Sequence, residues 1–247
     1  FYSLKNGCKI YTYMDAELQR FVENTDCGYD NSIVITSDAG VCAYKSTING
    51  AKRQIGSTAK PLMVYAPAIE EKILSPFTKI LDEKINFNGY SPENYDKKYH
   101  GYVSVTDSIK LSYNVPAVKT LNALTVKTAE KYLTKMNVAL EDDEKNLALA
   151  LGGMKYGLSL KNLTDMYSVF AAGGTYAPSR FIKKVVSPNG KTVYENQTFK
   201  SRVFSEGASS LMNGILLETV KSGTAKKLNG FNYNVAAKTG TCGNSEG

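Results

Sequence analysis

The sequence contains few of the residues that bind transition metals. Its 247 residues include one histidine, His100, and four cysteines, Cys8, Cys27, Cys42 and Cys242, with no Cys-x-x-Cys pair. Structural zinc sites use four such ligands at characteristic spacings, so no metal or other cofactor is expected. An even cysteine count permits disulfides in an exported protein, but the spacing assigns no partners. We expect small, mostly buried apolar cysteines.

The sequence also lacks a long apolar run. No segment approaches the roughly 20 apolar residues that span a bilayer. The chain begins at Phe1 rather than at Met, which indicates a mature form or a piece of a longer protein. A membrane anchor is therefore expected only in segments outside this chain, and its absence here does not favour the cytoplasm.

The charge is positive but dispersed. Lys and Arg number 30 against 23 Asp and Glu, a formal net charge of +7, and the lysines form no dense block. Such a distribution fits a solvated surface, and it also fits a surface facing anionic wall polymers or membrane lipids. No nucleic-acid-binding motif is present, so nucleic acid is not an expected partner.

The periodicity predicts an α+β fold. Strands are predicted over 8–14, 33–36, 41–44, 181–186, 192–194 and 233–241. Helices are predicted over 15–24, from Ser57 to about Leu74, and over 102–112, 115–124, 127–136, 159–172 and 206–220, with a long loop over 82–101. Strands at both chain ends and helices between them favour a sheet assembled from both ends of the chain, with a helical lobe.

Ser57-Thr58-Ala59-Lys60 is the first of three candidate motifs. Residues three apart on a helix share a face, so the Ser57 hydroxyl and the Lys60 amine are expected to meet. A desolvated lysine with a lowered pKa can activate a serine nucleophile. Pro61 favours the first turn of a helix, which places Ser57 at the helix N-terminus.

The second and third motifs each have a competing copy. Ser112-Tyr113-Asn114 lies between two helical patterns, where Ser112 relays a proton or caps a helix, whereas Ser187-Pro188-Asn189 precedes Gly190 and reads as a turn. Lys238-Thr239-Gly240-Thr241 ends a β-rich run and suits carboxylate binding. Lys221-Ser222-Gly223-Thr224 follows a helical run and reads as helix-capping chemistry.

The three motifs, in this order, match the set known from penicillin-binding proteins and β-lactamases. Longer segments carry a more specific resemblance to the transpeptidase domain of class A (bifunctional) penicillin-binding proteins. These segments are NGCKIYTYMDAELQ, RQIGSTAKPLMVYAPAIE, YSPENYDKKYHGYVSVTDSIKLSYNVPAVK, LALALGG, GLSLKNLTDMYSVFAAGGTY, ETVKSGTAKK and VAAKTGT.

The resemblance implies a role for each motif residue. Ser57 is the acylated nucleophile, Lys60 its base, Ser112 a proton shuttle, and Lys238 a hydrogen-bond partner of Ser112. Substrate is held by Asn114, Thr239, Gly240 and Thr241, and the backbone N–H groups of Ser57 and Thr241 form the oxyanion hole.

The implied activity is a serine D-Ala-D-Ala transpeptidase, with carboxypeptidase activity as a possible side reaction. It cross-links peptidoglycan stem peptides at the extracytoplasmic face of the bacterial membrane and is acylated by β-lactam antibiotics. The fold that the resemblance implies is the α+β fold of β-lactamases and transpeptidases, a mostly antiparallel sheet flanked by helices with an all-helical lobe. Residues 1–30 are expected to be a linker into a domain over 31–247 that lacks its C-terminal strands and helix, which would leave 233–241 as a sheet edge.

Two other functions share these motifs. A serine β-lactamase must hydrolyse the acyl-enzyme, and class A enzymes use a Glu-x-x-x-Asn element that is absent between Asn114 and Lys238. A non-catalytic sensor of β-lactams or wall peptides is the other alternative. The short C-terminal part favours a sensor, whereas the intact motif residues favour an enzyme.

Overall fold

The computed structural model describes residues 7–26, 32–37, 40–46 and 52–241. The chain divides into two compact units, one formed by 1–52, 159–168 and 176–201, and the other by 53–158, 169–175 and 202–247. Cys27 and Cys242 lie outside the described residues. Cys8 and Cys42 are free thiols of intermediate burial, so the expectation that they are buried is wrong.

The described residues form short strands and seven α-helices. The strands are β1 (Lys9–Thr12), β2 (Ile33–Ser37), β3 (Gly40–Lys45), β4 (Lys52–Arg53), β5 (Lys79–Asp82), β6 (Gly101–Ser104), β7 (Leu158–Ser159), β8 (Thr175–Tyr176), β9 (Ile182–Val186), β10 (Thr192–Glu195) and β11 (Ser201–Arg202). The helices are α1 (Ala16–Asn24), α2 (Ala66–Glu70), α3 (Val105–Lys110), α4 (Asn114–Leu124), α5 (Val126–Lys135), α6 (Leu160–Ala171) and α7 (Glu206–Ser222).

The first unit contains an antiparallel sheet and a hairpin, the latter formed by the strands predicted over 33–36 and 41–44. Strand β9 lies between β1 and β10, with Ile10 opposite Val185. Strands β2 and β3 pair antiparallel with Ile33 opposite Lys45. The Asp15 carboxylate caps α1 by accepting from the Glu17 and Leu18 N–H groups, as its position before the helix predicts.

The second unit is built around the helical segment that follows Ser57. Residues 62–66 are fully buried, so this segment is apolar on all sides. Lys60–Tyr65 is wound as a π-helix before α2 begins, and the Ala66 N–H bonds to the Pro61 carbonyl five residues earlier. Pro67 has no N–H to continue a regular α-helical ladder, which accounts for the local change of register.

Three predicted elements differ from the structure. The helix predicted to reach about Leu74 ends at Glu70. The helix predicted over 102–112 begins only at Val105, because β6 pairs with β5 through Ser104 and the Ser104 hydroxyl then caps α3. No strand forms over 233–241 within the described residues. A strand needs a partner, and here Ala237 instead bonds to α7 through the Leu216 carbonyl, at 3.3 Å, and the Thr219 hydroxyl.

Candidate active site

Ser57 lies in a tight 3₁₀ turn, Gly56–Thr58, directly before the buried helical segment. Gly56 has a φ of +54°, and a side chain there would collide with the Thr241 carbonyl. Gly152 also packs on Gly56, since a Cβ on Gly152 would lie 2.5 Å from the Gly56 nitrogen. Only glycine tolerates such close backbone approaches. Ser57 is therefore held, half-buried, at the start of the helix, as predicted.

Lys60 is fully buried, and its amine has three oxygen partners. The Nζ atom donates to the Ser112 carbonyl at 2.6 Å, to Asn114 Oδ1 at 2.7 Å and to Ser112 Oγ at 3.3 Å. No hydrogen bond joins Lys60 to the Ser57 hydroxyl in the part of the chain that the structure describes. The expected contact between the first-motif residues is thus replaced by contacts with the second motif.

The environment lowers the pKa of Lys60 well below its ordinary value. Burial is the larger cause, because a charged amine loses its hydration there, and the nearby positive charge of Lys238 adds to it. The pKa of Lys238 falls to about 8, also through burial. The lowered pKa of Lys60 suits a general base, because this amine loses its proton at a lower pH than an exposed lysine does.

Ser112 lies just after the C-terminal end of α3 and adopts a left-handed conformation, with a φ of +61°. Its N–H bonds to the Ile109 carbonyl, and the Tyr113 N–H bonds to the Ser108 carbonyl, which is a Schellman cap with serine where glycine is usual. A left-handed non-glycine residue costs about 1–2 kcal/mol. The strain directs both the Ser112 carbonyl and its hydroxyl toward lysine amines, and such strain is typical of functional sites.

Lys238 completes the cluster from the third motif. Its Nζ atom lies 2.8 Å from Ser112 Oγ and 2.8 Å from the Thr239 carbonyl. The Ser112 hydroxyl therefore lies between two amines, at 3.3 Å from Lys60 and 2.8 Å from Lys238. A hydroxyl both donates and accepts, so this position suits a proton relay.

The remaining predicted substrate residues border the same cluster. Thr239, Gly240 and Thr241 are exposed. A Cβ on Gly240 would lie 2.8 Å from the Thr58 Cγ2 atom, so the small residue lets this segment approach the Ser57 turn. An equivalent atom on Gly56 would lie 3.2 Å from the Thr241 nitrogen, which brings the two predicted oxyanion-hole segments together.

The sequence patterns assigned no site role to two residues near the site, Thr224 and Asn94. The helix-capping interpretation of the 221–224 copy is confirmed, because α7 ends at Ser222 and Gly223 follows as its cap. Its Thr224 hydroxyl, however, bonds to the Thr239 hydroxyl at 2.7 Å. The duplicated Lys-[Ser/Thr]-Gly-Thr motif was the available signal. Asn94, in the long loop, also bonds to the Asn114 N–H, and no motif marked it.

The turn predicted at the other Ser-x-Asn copy is confirmed. The Gly190 N–H bonds to the Ser187 carbonyl between β9 and β10. The described residues contain no group of three or more His, Cys, Asp or Glu side chains that could hold a metal ion. No helix among them is long and apolar enough to cross a bilayer.

Comparison with known proteins agrees with the geometry. Residues 46–246 match the family model of the penicillin-binding protein transpeptidase domain. Penicillin-binding protein 1F of Bacillus subtilis is 40% identical over 96% of this chain, which spans only 36% of that relative's length.

Solved structures share the fold at lower identity. The D,D-transpeptidase domain of a peptidoglycan glycosyltransferase from Eggerthella lenta has a TM-score of 0.83 at 15% identity, over 98% of this chain and 73% of its own. The penicillin-binding protein PonA1 from Mycobacterium tuberculosis has a TM-score of 0.83 at 20% identity, over 99% of this chain and 72% of its own. The predicted β-lactamase/transpeptidase-like α+β fold is thereby confirmed, and the chain belongs to the penicillin-binding protein transpeptidase domain family.

Proposed function

We propose that this chain is a serine D,D-transpeptidase domain that cross-links peptidoglycan stem peptides and is acylated by β-lactams. The observation that carries the proposal is the placement of the Ser112 hydroxyl between the Lys60 and Lys238 amines, 3.3 and 2.8 Å away, with Lys60 three residues after Ser57 in the chain. Membership of the transpeptidase family supports the same activity.

In the proposed reaction, Ser57 Oγ attacks the carbonyl of the D-Ala–D-Ala amide while its proton passes to neutral Lys60. The backbone N–H groups of Ser57 and Thr241 stabilise the oxyanion. The C–N bond then breaks, and the terminal D-Ala amine leaves with a proton delivered through Ser112. An amine of a neighbouring stem peptide then attacks the acyl-enzyme and gives up a proton to Lys60. The new amide forms as the ester C–O bond breaks, and Lys60 returns the proton to Ser57 Oγ.

Substrate orientation is assigned to the third motif and Asn114. The charged Lys238 amine and the hydroxyls of Thr239 and Thr241 suit the terminal carboxylate of the donor peptide, or that of a penicillin. Gly240 leaves room for the substrate backbone. Asn114 Oδ1 accepts from Lys60 at 2.7 Å and one Nδ2–H donates to the Glu93 carbonyl at 2.7 Å, so the second Nδ2–H is the group assigned to the substrate.

The proposal also covers the setting of the domain. Residues 1–30 are the entry segment into the domain and 31–247 the catalytic domain, acting at the extracytoplasmic face of a bacterial membrane. The chain spans 36% of the length of penicillin-binding protein 1F. Any activity and partners of a longer protein that contains this domain are therefore part of the proposal. The family match does not favour a sensor or a β-lactamase.

Incubation with benzylpenicillin followed by intact-mass spectrometry and peptide mapping tests the proposal. We expect one persistent adduct of benzylpenicillin mass on the peptide that contains Ser57. Rapid turnover with no accumulating adduct would instead indicate a β-lactamase. A folded protein that neither acquires an adduct nor hydrolyses the drug would contradict acyl-transfer chemistry in this chain.

The rate of acylation is expected to depend on pH as a bell-shaped curve. The rising limb follows deprotonation of Lys60, and it lies well below the ordinary lysine pKa because burial lowers that pKa. The falling limb is expected near pH 8, where Lys238 loses the charge that binds the carboxylate. Lys238→Arg keeps a positive charge at all these pH values and should move the falling limb upward. An unmoved limb would show that Lys238 is not its origin.

A further inference from the structure

Asn94 is a buried amide in the loop between β5 and β6, and it is 2% exposed. Its Nδ2 atom donates to the Asp82 carboxylate, 3.0 Å from Oδ1 and 2.7 Å from Oδ2, and to the Lys98 carbonyl at 2.8 Å. Asp82 is 1% exposed and also accepts from the His100 N–H at 3.0 Å. These acceptors surround the amide nitrogen, so the orientation of the Asn94 side chain is determined.

The opposite end of the same amide caps the helix that begins with Asn114. Asn94 Oδ1 accepts from the Asn114 N–H at 2.8 Å and from the Val115 N–H at 3.3 Å. The residue at the cap position of α4, Tyr113, makes no side-chain cap bond of its own. A side chain 20 residues away thus performs the capping that Ser, Asp or Asn usually performs locally.

The same loop also determines which way the Asn114 side chain faces. Asn114 Nδ2 donates to the Glu93 carbonyl at 2.7 Å. With the amide nitrogen committed to the loop, Oδ1 is the atom that faces Lys60, at 2.7 Å. Glu93 and Asn94 therefore hold both the backbone and the side chain of the residue that accepts from the Lys60 amine.

We propose that Asn94, held in place by Asp82, is a positioning residue that fixes Asn114 and through it the Lys60 amine for acylation. The proposal rests on the proposed acyl-transfer function. It assigns a role in the reaction to a residue whose side-chain hydrogen bonds, within the described residues, reach neither Ser57 nor Lys60. Small displacements of a catalytic group cost up to about 10²-fold in rate, which sets the expected scale of the effect.

Two substitutions of Asn94 by side chains of similar size distinguish a positioning role from an effect of side-chain volume. Asn94→Leu removes every hydrogen bond of the Asn94 side chain. We expect the acylation rate constant for benzylpenicillin to fall about 10- to 100-fold. Asn94→Asp keeps an acceptor toward α4, and its carboxyl is expected to share a proton with Asp82, because adjacent carboxylates do not both ionise. This variant should recover most of the lost rate. Asn86→Leu changes an exposed asparagine of the same loop and should acylate as the parent protein does.

The measurement is stopped-flow acylation over a range of benzylpenicillin concentrations, normalised to the fraction of protein that can be titrated. We expect the limiting acylation rate constant to fall while the apparent dissociation constant of the non-covalent complex changes less than about threefold. A purely structural role would lower the titratable fraction and leave the rate constant of the remainder unchanged, and that result overturns the proposal. Equal losses in Asn94→Leu and Asn94→Asp overturn it as well.

A double variant guards against misfolding. Asn94→Leu alone leaves the buried Asp82 charge without its amide partner, which is strongly destabilising. Asp82→Asn/Asn94→Leu removes that charge, and its acylation rate constant should be as low as that of Asn94→Leu. A parent-like rate constant in the double variant contradicts the proposal. Absence of a Ser57 adduct in the parent protein would instead contradict the proposed function itself.

Discussion

Ser57→Ala is expected to abolish covalent labelling by benzylpenicillin while leaving the protein folded. The substitution removes the only oxygen that the proposed mechanism allows to attack. Ser57 is half-buried and precedes the buried helix, so loss of its hydroxyl should change the free energy of unfolding by no more than about 0.5 kcal/mol. Intact-mass spectrometry after incubation measures the labelling, and a thermal melt measures the fold.

A matched serine provides the control for this experiment. Ser75→Ala changes an exposed serine of the same unit, and it should be labelled as fully as the parent protein. Loss of labelling in both variants would point to a general defect. An adduct that persists in Ser57→Ala would place the nucleophile elsewhere and refute the assignment of the first motif.

Lys60→Met should slow acylation by about 10²–10⁴-fold, the range expected on losing a general base. Methionine has a similar length and removes the amine without adding a charge. The loss also leaves the Ser112 carbonyl and Asn114 Oδ1 without their buried donor, which should cost about 1–3 kcal/mol of stability for each group that stays unpaired. Single-turnover acylation kinetics, measured well below the melting temperature, separate the two effects.

Lys119→Met is the corresponding control for loss of a partly buried lysine. Lys119 lies on α4 and bonds to the Leu81 carbonyl at 2.7 Å and to Glu83 at 2.8 Å, away from the motif residues. It should lose stability without losing acylation rate. If Lys60→Met acylates at the parental rate, Lys60 is not the base, and Lys238 becomes the candidate for that role.

The two lysines illustrate how much chemistry depends on packing. Both carry the same side chain, yet Lys60 is fully buried among oxygen acceptors and Lys238 is only partly exposed beside Ser112. Burial lowers the pKa of each, and the charge of Lys238 lowers that of Lys60 further. A lysine spacing in a sequence indicates where a base is expected, but its pKa depends on the surrounding atoms.

Local elements were predictable where neighbouring residues determine them. Asp15 before α1 and the turn at Ser187 act through contacts within a few residues, so their patterns were sufficient. The region 233–241 was not predictable in this way. Its alternation favours a strand, but a strand forms only where another chain segment supplies hydrogen-bond partners, and within the described residues Ala237 bonds to α7.

The sequence by itself determined the family, the motif residues and the expected serine chemistry, because the motifs and the long segments around them are contiguous in the chain. The tertiary structure alone decided that the Lys60 amine contacts Ser112 and Asn114, 52 and 54 residues away, rather than Ser57. It also brought in Asn94, which no motif marked, and Thr224, whose motif copy indicated only a helix cap. Hydrogen bonds between distant segments depend on how the helices pack, and packing is a property of the whole core.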